Sequence, residues 1–571
     1  MEPVSQRLWR VKNPDSAVTG RLTKELGISS LAARLLVNRG LCEPSAAGRF
    51  LSSTLADLHD PYLLLGMDRA VERLAVAVAG RERVCVYGDY DVDGISSVAL
   101  LMSFFRAVGL DCFYHIPKRL EDGYGLSHDG VESVAHQGAS VVVTVDCGIT
   151  ALDESRLCSN LGIDLIITDH HTPGDVIPAA CAVINPHQPG CPFPFKFLAG
   201  VGVAFNLMIA LRSRLREDGH FAGREEPNLR EYLDLVALGT IADIVPLQDE
   251  NRIFVKYGLA ELTHSIRVGV QALKAVAGVT GHVSCGAVGF RLAPRLNAAG
   301  RLEDAALGVE LLLSGDRGQA AEIAARLDSS NTERQALEQE ILRDALGKVK
   351  RGARHRKSIV LASSEWHPGV IGIVASRIVD LYHRPTILIA LQNGIGKGSG
   401  RSIPSFHLHD ALHACSEHLL KFGGHKYAAG LSVDEATLEA FVERFDEVAH
   451  GFLGDTDLTP DLAIDGELDA DEITLDLAML IEQLAPFGMG NPEPVFMLRR
   501  GTLIARQIVK DQHLKLRVSA GGRCLEGIGF NMAQRKDVPP LLDVAFSLET
   551  SRWNGRERLQ LKLKDFREAV E

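Results

Sequence analysis

Three aspartates stand at alternate positions in the stretch VCVYGDYDVDGISSVAL, which runs from Val84 to Leu100. Asp89, Asp91 and Asp93 come directly after a short β-branched run and directly before a glycine. Carboxylates at this spacing suit a hard divalent cation, and the pattern D-x-D-x-D-G also opens a calcium-binding EF-hand loop. The EF-hand interpretation fails at the twelfth position, because the chain has Leu100 where the closing glutamate belongs. The flanking runs instead predict a turn from a buried strand into a helix.

Acidic and imidazole side chains also follow three later apolar runs that we expect to be strands. VVVTVDCG contains Asp146, DLIITDHH ends on Asp169, His170 and His171, and ALGTIADIVPL carries Asp243. In a parallel sheet the carboxyl ends of all strands lie along one edge, so these side chains should converge in one crevice. A single aspartate after a strand is more often a helix cap. Four such strand ends together predict a shared metal site.

The predicted site contains carboxylates and imidazoles but no thiolate. This donor set suits manganese or magnesium better than a structural zinc ion. Four or five carboxylates repel one another more than a single dication can offset, so the sequence predicts two ions with one bridging carboxylate. Such a pair activates water for attack at phosphorus. A haloacid-dehalogenase-type phosphatase also begins with a D-x-D turn, but that alternative leaves the histidine pair unexplained.

The elements that must carry these residues alternate between strand-like and helix-like runs in the first half of the chain. This alternation predicts an α/β fold with a doubly wound parallel sheet. A polar helical stretch from about Arg317 to Arg351 predicts a connector to a second α/β lobe, unless it is a surface helix of the first lobe. About five short basic strands after Arg500 predict a small β-barrel. We therefore expect an N-terminal segment (1–45), a catalytic domain (46–315), a connecting helix (316–351), a second α/β domain (352–456) and a C-terminal barrel domain (457–571).

Charge is distributed unevenly along the 571 residues. The net charge of −12 taken alone disfavours a nucleic-acid partner. However, residues 452–476 contain nine acidic residues and no Lys or Arg, whereas residues 497–567 contain fifteen basic and seven acidic residues. The ten cysteines form no C-x-x-C pair, and the N-terminus has no apolar signal core. The longest apolar stretch, 197–211, is too short to span a membrane. We expect a cytoplasmic protein with a basic C-terminal module and no membrane contact.

The motifs GDYDVDG, DCG, TDHH and GTIADIVPL occur in the order typical of the DHH phosphoesterase superfamily, which is named for the triplet Asp169-His170-His171. GKGSGRS (396–402) and FGGHKYAAG (422–430) resemble the DHH-associated second domain of that superfamily. PRLNAAGRL and WHPGVIGIVASR, with the length and the basic barrel, make the chain similar to the bacterial single-strand-specific exonucleases within it. The resemblance covers nearly the whole chain.

This resemblance implies 5′→3′ degradation of single-stranded DNA to mononucleotides, in recombination and repair, with two manganese or magnesium ions. It implies a monomer, with single-strand-binding protein and a helicase as partners. By motif position, the implied metal ligands, with Asp146 as the bridge, are Asp91, Asp93, Asp146, His170 and Asp243. Two implied catalytic residues stand close by: His171 would orient the water or the scissile phosphate, and Asp89 would support the ligands.

Substrate contacts are expected in both lobes and in the barrel. GSGRS offers backbone amides, the Ser399 hydroxyl and the Arg401 guanidinium, all suited to a phosphate. Trp553 is the candidate for base stacking in the barrel, which we interpret as an OB-fold. Each further candidate could also be an ordinary surface or structural residue: Arg119, Arg295, Arg301, His367 and His425.

Two other functions stay open at this point. A DHH phosphodiesterase for short oligonucleotides or cyclic dinucleotides would share the motifs, although such enzymes generally lack the barrel. A single-strand-binding accessory protein with a decayed site would share the barrel, although here the acids are complete.

Overall fold

The computed structural model describes residues 7–118, 125–352, 356–535, 537–553 and 556–569, with the backbone alone at 352, 551–553, 556 and 557. The chain forms two compact units. The first, which we call the parallel-sheet unit, comprises Pro14–Asn331 and Leu475–Pro494. The second, the barrel unit, comprises Met1–Asn13, Thr332–Thr474 and Val495–Glu571.

After one strand and four successive helices, strands and helices alternate through most of the parallel sheet. In chain order they are β1 (Leu8–Val11), α1 (Ser16–Leu26), α2 (Ser30–Val37), α3 (Pro44–Ser52), α4 (Met67–Gly80), β2 (Arg83–Tyr87), α5 (Val92–Ala107), β3 (Asp111–His115), α6 (His128–His136), β4 (Val141–Val145), α7 (Leu152–Asn160), β5 (Asp164–Thr168) and β6 (Ala182–Ile184). Short 3-10 turns lie at Leu55–Asp57 and Pro61–Leu63.

Helices follow up to the second lobe. They are α8 (Gly200–Glu217), α9 (Leu233–Ala242), α10 (Asp249–Thr263), α11 (Val268–Val276), α12 (Cys285–Ala287), α13 (Ala293–Leu302), α14 (Ala306–Leu313) and α15 (Arg317–Gly352). A 3-10 turn at Leu229–Tyr232 precedes α9, and a π-helical turn at Val288–Leu292 precedes α13.

The rest of the chain is richer in strands. Its elements are β7 (Ile359–Ser363), α16 (Ile371–Tyr382), β8 (Thr386–Gln392), β9 (Ile395–Arg401), α17 (Leu408–His413), β10 (Lys421–Gly424), β11 (Ala428–Asp434), α18 (Leu438–Phe452), β12 (Asp461–Ile464), β13 (Gly466–Glu467), α19 (Leu475–Gln483), β14 (Phe496–Val509), β15 (His513–Ala520), β16 (Arg523–Gly529), β17 (Leu541–Trp553) and β18 (Arg556–Glu568). Its 3-10 turns are Ser416–His418, Glu435–Thr437 and Thr456–Leu458.

The parallel-sheet unit is built on the strand order β3-β2-β4-β5-β6, in which every neighbouring pair is parallel. In β2, Val84 and Val86 pack into one buried core while Cys85 and Tyr87 pack into another. Alternate residues of a strand point to opposite faces, so a strand that is apolar at every position needs cover on both faces. The predicted doubly wound parallel sheet is confirmed.

One element of the predicted site is a helix, although its sequence predicted a strand. The run ALGTIADIVPL forms most of α9 and the loop after it, and Asp243 is the residue at which that helix ends. Helix α9 is buried and apolar on nearly all sides. A segment of this kind has no hydrophobic periodicity that would separate it from a buried strand, which is why the strand prediction was wrong.

The second α/β domain lies in the barrel unit and has the mixed strand order β10-β11-β9-β8-β7. Strands β7 and β8 are parallel, and the other neighbours are antiparallel. Helix α15, which the charge and apolar pattern predicted, leads into this domain. The boundary between the two compact units falls inside α15, after Asn331.

The C-terminal barrel contains β14, β15 and β16 in an antiparallel meander, with β18 between β16 and β17. Strand β17 pairs back with β14 and closes the barrel, as expected for an OB-fold. The sequence predicted short strands, but β14, β17 and β18 have 14, 13 and 13 residues. The β14–β17 register shifts between Leu498 and Gly501. A shift of this kind bends the strand, so a long strand can curve around a small barrel.

The predicted N-terminal segment (1–45) is divided between the units: residues up to Asn13 group with the barrel unit, and those from Pro14 onward group with the parallel-sheet unit. Strand β1 pairs in parallel with β12, and Trp9 Nε1 donates a hydrogen bond of 2.8 Å to Asp565 Oδ2. Residues 200–211 of the longest apolar stretch form the buried part of α8. Across the ranges that the structure describes, no helix is long and apolar enough to cross a membrane.

Candidate metal centre

The turn between β2 and α5 is shaped by Asp91 and a glycine. Asp91 Oδ1 accepts hydrogen bonds from the backbone N–H groups of Asp93 at 2.9 Å and Gly94 at 3.2 Å, so Asp91 caps α5. A Cβ at Gly94 would lie 2.5 Å from the carbonyl oxygen of Asp89. Only glycine therefore allows so tight a turn. The turn holds Asp89 and Asp93 almost fully buried at the carboxyl end of β2.

Asp93 is held in place by the first turn of α8. Its Oδ2 accepts a hydrogen bond of 2.7 Å from the Gly200 N–H, and its Oδ1 accepts one of 2.9 Å from the Val201 N–H. The N–H groups that begin a helix have no partner within the helix and favour a negative charge. These two amides could not be predicted from the sequence, because backbone donors far along the chain leave no signature in residue type.

Asp146, His170 and Asp243 meet beside Asp93. His170 Nε2 lies 3.0 Å from Asp146 Oδ1, 3.6 Å from Asp243 Oδ2 and 4.0 Å from Asp93 Oδ2. Asp146 has a left-handed backbone with φ of 61°, a conformation that aspartate adopts more readily than most residues. Such uncommon backbone conformations cluster at functional sites.

The possible ligand atoms fall into three overlapping groups, and within each group they lie within 4.8 Å of one another. These groups are Asp89, Asp91 and Asp146; Asp93, His170 and Asp243; and Asp146, His170 and His171. All seven predicted metal and catalytic residues are thus brought together. Asp146 and His170 each belong to two of the groups.

Asp169, for which no role was predicted, orders the histidine pair. Its Oδ1 accepts hydrogen bonds from the N–H groups of His170 at 2.7 Å and His171 at 3.1 Å, and it lies 2.7 Å from His171 Nδ1. Its Oδ2 accepts a hydrogen bond of 2.9 Å from the Ile149 N–H. The TDHH triplet itself was the signal, since an aspartate can accept hydrogen bonds from the amides that follow it.

Electrostatics divide these carboxylates into two kinds. Burial and the charges of neighbouring aspartates raise the pKa of Asp93, Asp146 and Asp243 above the ordinary range. Burial would also raise the pKa of Asp169, but the hydrogen bond and positive charge of His171 outweigh it and lower that pKa. Burial would lower the pKa of His171, yet the hydrogen bond to Asp169 and the charge of that carboxylate raise that pKa to about 9. Bound cations would relieve the repulsion among the first three aspartates.

The site fits divalent manganese or magnesium. Every candidate ligand atom is a carboxylate oxygen or an imidazole nitrogen, the donor types that these ions accept. Among the described residues, Asp243 Oδ2 and His170 Nε2 are buried and make no hydrogen bond. A buried polar atom without a partner is costly, and an ion held by both atoms would account for the pair.

A separate group of polar residues lies in the barrel unit, where β9 meets the start of α16. Arg401 donates hydrogen bonds to Ser399 Oγ at 3.3 Å and to the Gly400 carbonyl oxygen at 2.7 Å. A Cβ at Gly372, in the first turn of α16, would lie 2.8 Å from Ser399 Oγ and 3.1 Å from an Arg401 terminal nitrogen. Just before this helix, His367 Nδ1 accepts a hydrogen bond from Gly369. A helix N-terminus beside a hydroxyl and a guanidinium suits a phosphate.

The other candidate substrate residues are more dispersed. Arg295 Nε lies 2.8 Å from Asp328 Oδ1, so its guanidinium is engaged between α13 and α15. Arg301 is partly buried in the last turn of α13. His425 is exposed in the turn between β10 and β11. The predicted Arg119 and the side chain of Trp553 lie outside the described residues.

Three family models match the chain in succession: the DHH family N-terminal domain at residues 83–240, the DHHA1 domain at 356–451 and the RecJ OB domain at 464–565. The single-stranded-DNA-specific exonuclease RecJ of Escherichia coli (strain K12) is 40% identical over 551 residues, which cover 93% of this chain and 94% of that protein. This chain belongs to the RecJ family. RecJ of Bacillus subtilis (strain 168) is 37% identical over 98% of this chain and 71% of its own length.

Solved RecJ structures agree with the fold and with the choice of metal. The crystal structure of RecJ from Thermus thermophilus in complex with Mn²⁺ has a TM-score of 0.85 at 34% identity and covers 99% of this chain and 80% of that chain. The structure of the same RecJ with Mg²⁺ has a TM-score of 0.79 at 32% identity over 99% of this chain and 79% of that chain. One of these RecJ structures contains Mn²⁺ and the other Mg²⁺, which are the two metals that the donor set of this chain predicts.

Proposed function

We propose that this chain is an exonuclease that degrades single-stranded DNA from the 5′ end to mononucleotides, in recombination and repair. The observation that carries the proposal is the convergence of five aspartates and two histidines at the edge of a parallel sheet. The related RecJ proteins are named for exonuclease activity on single-stranded DNA.

We assign the metals to Asp91, Asp93, Asp146, His170 and Asp243, with Asp146 as the bridge. Two divalent ions bound there would supply a nucleophile at neutral pH and neutralise the charge that develops on the leaving oxygen. The amides of α8 hold Asp93 in its binding orientation before any ion arrives. Pre-ordering of this kind lowers the cost of assembling the site.

We assign His171 and Asp89 to the chemical step without direct metal binding. Asp169 Oδ1 accepts a hydrogen bond from His171 Nδ1, which orients the ring. Nε2 is then the ring nitrogen that acts on the substrate. His171 then orients the attacking water or the scissile phosphate. Asp89 lies buried within reach of Asp91 and Asp146, where its carboxylate supports the ligands.

We place the 5′ terminal phosphate at Arg401 and Ser399, beside the start of α16. A planar guanidinium can bind two phosphate oxygens at once, and a terminal phosphate carries more charge than an internal one. Arg119, Arg301, His367, His425 and Trp553 remain proposed contacts of the strand. Arg295 is the weakest of the candidates, because its guanidinium already pairs with Asp328.

We further propose that the protein acts as a monomer in the cytoplasm, with a single-strand-binding protein and a helicase as partners. All ten cysteines are free thiols, as is usual in a reducing compartment. The excess of basic residues over 497–567 favours contact with the strand itself.

A 5′-labelled single strand incubated with and without Mn²⁺ tests the function. We expect labelled mononucleotide to be released from long strands only when Mn²⁺ is present. Cleavage confined to dinucleotides would support a short-oligonucleotide phosphodiesterase instead. Binding without cleavage would support an accessory protein.

Asp146→Ala is the matched variant for this assay. We expect it to abolish hydrolysis and to keep strand affinity within a few fold, because affinity comes mainly from phosphate contacts elsewhere. Near-normal turnover in this variant would remove Asp146 from the site.

A further inference from the structure

Part of the sequence that matches the OB-domain model packs in the parallel-sheet unit. The match to the RecJ OB domain spans 464–565, yet Leu475–Pro494 groups with the parallel-sheet unit. The segment consists of α19 and the turn that follows it. We call this turn, residues 484–491, the strap. The strap lies against the 243–248 loop, which begins at the metal-centre residue Asp243.

Direct contacts join the strap to this loop. The Leu247 N–H donates a hydrogen bond of 2.7 Å to the Met489 carbonyl oxygen, and Gln248 Nε2 donates one of 3.0 Å to the Gly490 carbonyl oxygen. A Cβ at Gly490 would lie 2.9 Å from Pro246 Cβ. The two backbones are therefore in contact, with no room for a side chain between them.

The strap is itself a well-defined turn. Asn491 is fully buried, and its Nδ2 donates hydrogen bonds of 2.8 Å to the carbonyl oxygens of Leu484 and Pro486. Its Oδ1 accepts a hydrogen bond of 2.8 Å from Arg39 Nε. A fully satisfied buried amide of this kind favours one conformation of the turn.

A buried arginine holds the end of α19 next to the strap. Arg252, on α10, is 2% exposed and donates hydrogen bonds to the carbonyl oxygens of Leu484 at 2.9 Å and Gln483 at 3.4 Å. Its guanidinium also stacks 3.8 Å from the Phe50 ring centroid. Burial lowers the pKa of Arg252 to about 10. The chain thus places a costly buried cation where it satisfies the last carbonyls of α19.

The loop under the strap needs such support. Ile244, directly after Asp243, has a φ of 62°, and a β-branched residue in the left-handed region is strained. Strained backbone persists only where its surroundings hold it. Besides the strap, Asn251 Nδ2 donates hydrogen bonds to the carbonyl oxygens of Pro246 at 3.0 Å and Phe197. Phe197 precedes the first turn of α8, and this turn holds Asp93.

We propose that the strap is a positioning element for Asp243, and that it sets the affinity of the metal centre through the strained loop. The inference rests on the proposed function, since it concerns the same metal site. It gives the barrel module a second role, because a segment inserted between β13 and β14 helps to shape the catalytic centre.

Gly490→Ala tests the proposal, with Gly219→Ala as its matched control. Both glycines have positive φ, 69° and 74°, but a Cβ at Gly219 would meet no atom within 4 Å. Both variants therefore carry the same backbone strain, and only Gly490→Ala pushes the strap from Pro246. The readouts are Mn²⁺ binding to the protein alone, measured by titration calorimetry, and the separate values of kcat and KM on a single strand.

We expect Gly490→Ala to weaken Mn²⁺ binding and lower kcat by about tenfold or more, with KM nearly unchanged, because residues that orient ligands have effects of this size. Gly219→Ala should match the wild type in both. Equal Mn²⁺ affinity and kcat in the two variants would overturn the proposal. If Gly490→Ala does not fold, Gln248→Ala replaces it, with about fivefold weaker Mn²⁺ binding expected from the loss of one hydrogen bond and unchanged binding as the contradicting result. A wild type without Mn²⁺-dependent exonuclease activity would count against the proposed function instead.

Discussion

At the scale of single residues, the metal centre shows that environment decides what a carboxylate can do. Asp93 and Asp146 are buried among like charges, which raises their pKa values. Asp169 is equally buried, but it pairs with His171 and its pKa is lowered. The first kind is suited to binding a cation and the second to orienting an imidazole.

A buried carboxylate away from the centre allows a test of the same electrostatics. Glu250, on α10, is fully buried. Its Oε1 accepts a hydrogen bond of 2.7 Å from the His59 N–H, and its Oε2 accepts one of 3.1 Å from Asn206 Nδ2. Burial outweighs these two bonds and raises the pKa of Glu250 from 4.5 to about 7.

This raised pKa predicts how the free energy of unfolding depends on pH. The folded state holds the Glu250 proton more tightly than the unfolded chain, so its contribution is fully present below pH 4.5 and is lost as pH rises through about 7. Between pH 5.5 and 8.5 the loss should be on the order of 2 kcal/mol. Glu250→Gln should remove that part of the pH dependence in denaturant titrations, while the exposed control Glu132→Gln should keep it. An identical pH dependence in wild type and Glu250→Gln would mean that Glu250 does not titrate in this range.

At the scale of elements, the functional residues stand at the ends of strands and helices. Asp91 caps the start of α5, Asp93 is held by the first turn of α8, and Asp243 ends α9. Backbone N–H groups are available at the start of a helix, so the same elements that build the fold also hold the carboxylates. In the barrel unit, α16 begins beside Ser399 and Arg401, a geometry that suits a phosphate.

The geometry at α16 predicts the effect of Arg401→Ala on end recognition. A guanidinium held beside Ser399 should favour a 5′ phosphate over a 5′ hydroxyl, so the variant should lose this preference more than it loses overall affinity. Arg401→Lys should rescue only part of the preference, because lysine has no planar fork. The measurement compares cleavage rates of matched strands that carry the two end groups.

Lys397→Ala is the control for Arg401→Ala, because Lys397 is an exposed cation on the same strand. It should reduce affinity slightly and leave the end-group ratio unchanged. An unchanged ratio in Arg401→Ala would instead transfer the recognition of the terminus to Arg301 or Arg119.

At the scale of the whole molecule, the chemistry is divided between two compact units. The carboxylates and the histidine pair lie in the parallel-sheet unit, whereas Arg401, Ser399 and the basic barrel lie in the other. The net charge of −12 hides this division. Among the described residues, the chain passes from one unit to the other after Asn13, within α15, and at both ends of Leu475–Pro494.

This division predicts where Mn²⁺ protects the protein. Ligand binding to the folded state stabilises it by about 2.7 kcal/mol at a concentration a hundred times the Kd. Amide hydrogen exchange should therefore slow around residues 83–94, 145–149, 168–171 and 239–248 when Mn²⁺ is added, and chelation with EDTA should reverse it. Peptides from β14 to β18 should change little. Asp146→Ala should lose the protection, and protection confined to the barrel in the wild type would place the metal elsewhere.

Residue type and order were enough to predict the parallel sheet, the long helix α15, the barrel and the convergence of seven acidic and imidazole side chains. Strand ends of a parallel sheet share one edge by necessity, which explains the convergence of all of these side chains except Asp243, since that residue ends a helix. The motif match to the DHH superfamily was confirmed by the three family models.

Only the tertiary structure decided the parts that depend on contacts between distant segments. The amides that hold Asp93 lie more than a hundred residues away along the chain, and a backbone donor looks the same in any sequence. The helix before Asp243 was indistinguishable from a strand, because a segment that is buried on nearly all sides has no periodicity. The packing of residues 475–494 against the 243–248 loop also could not be predicted from the sequence. The donors to the carbonyls of Met489 and Gly490 lie far away along the chain, and only the fold brings them into contact.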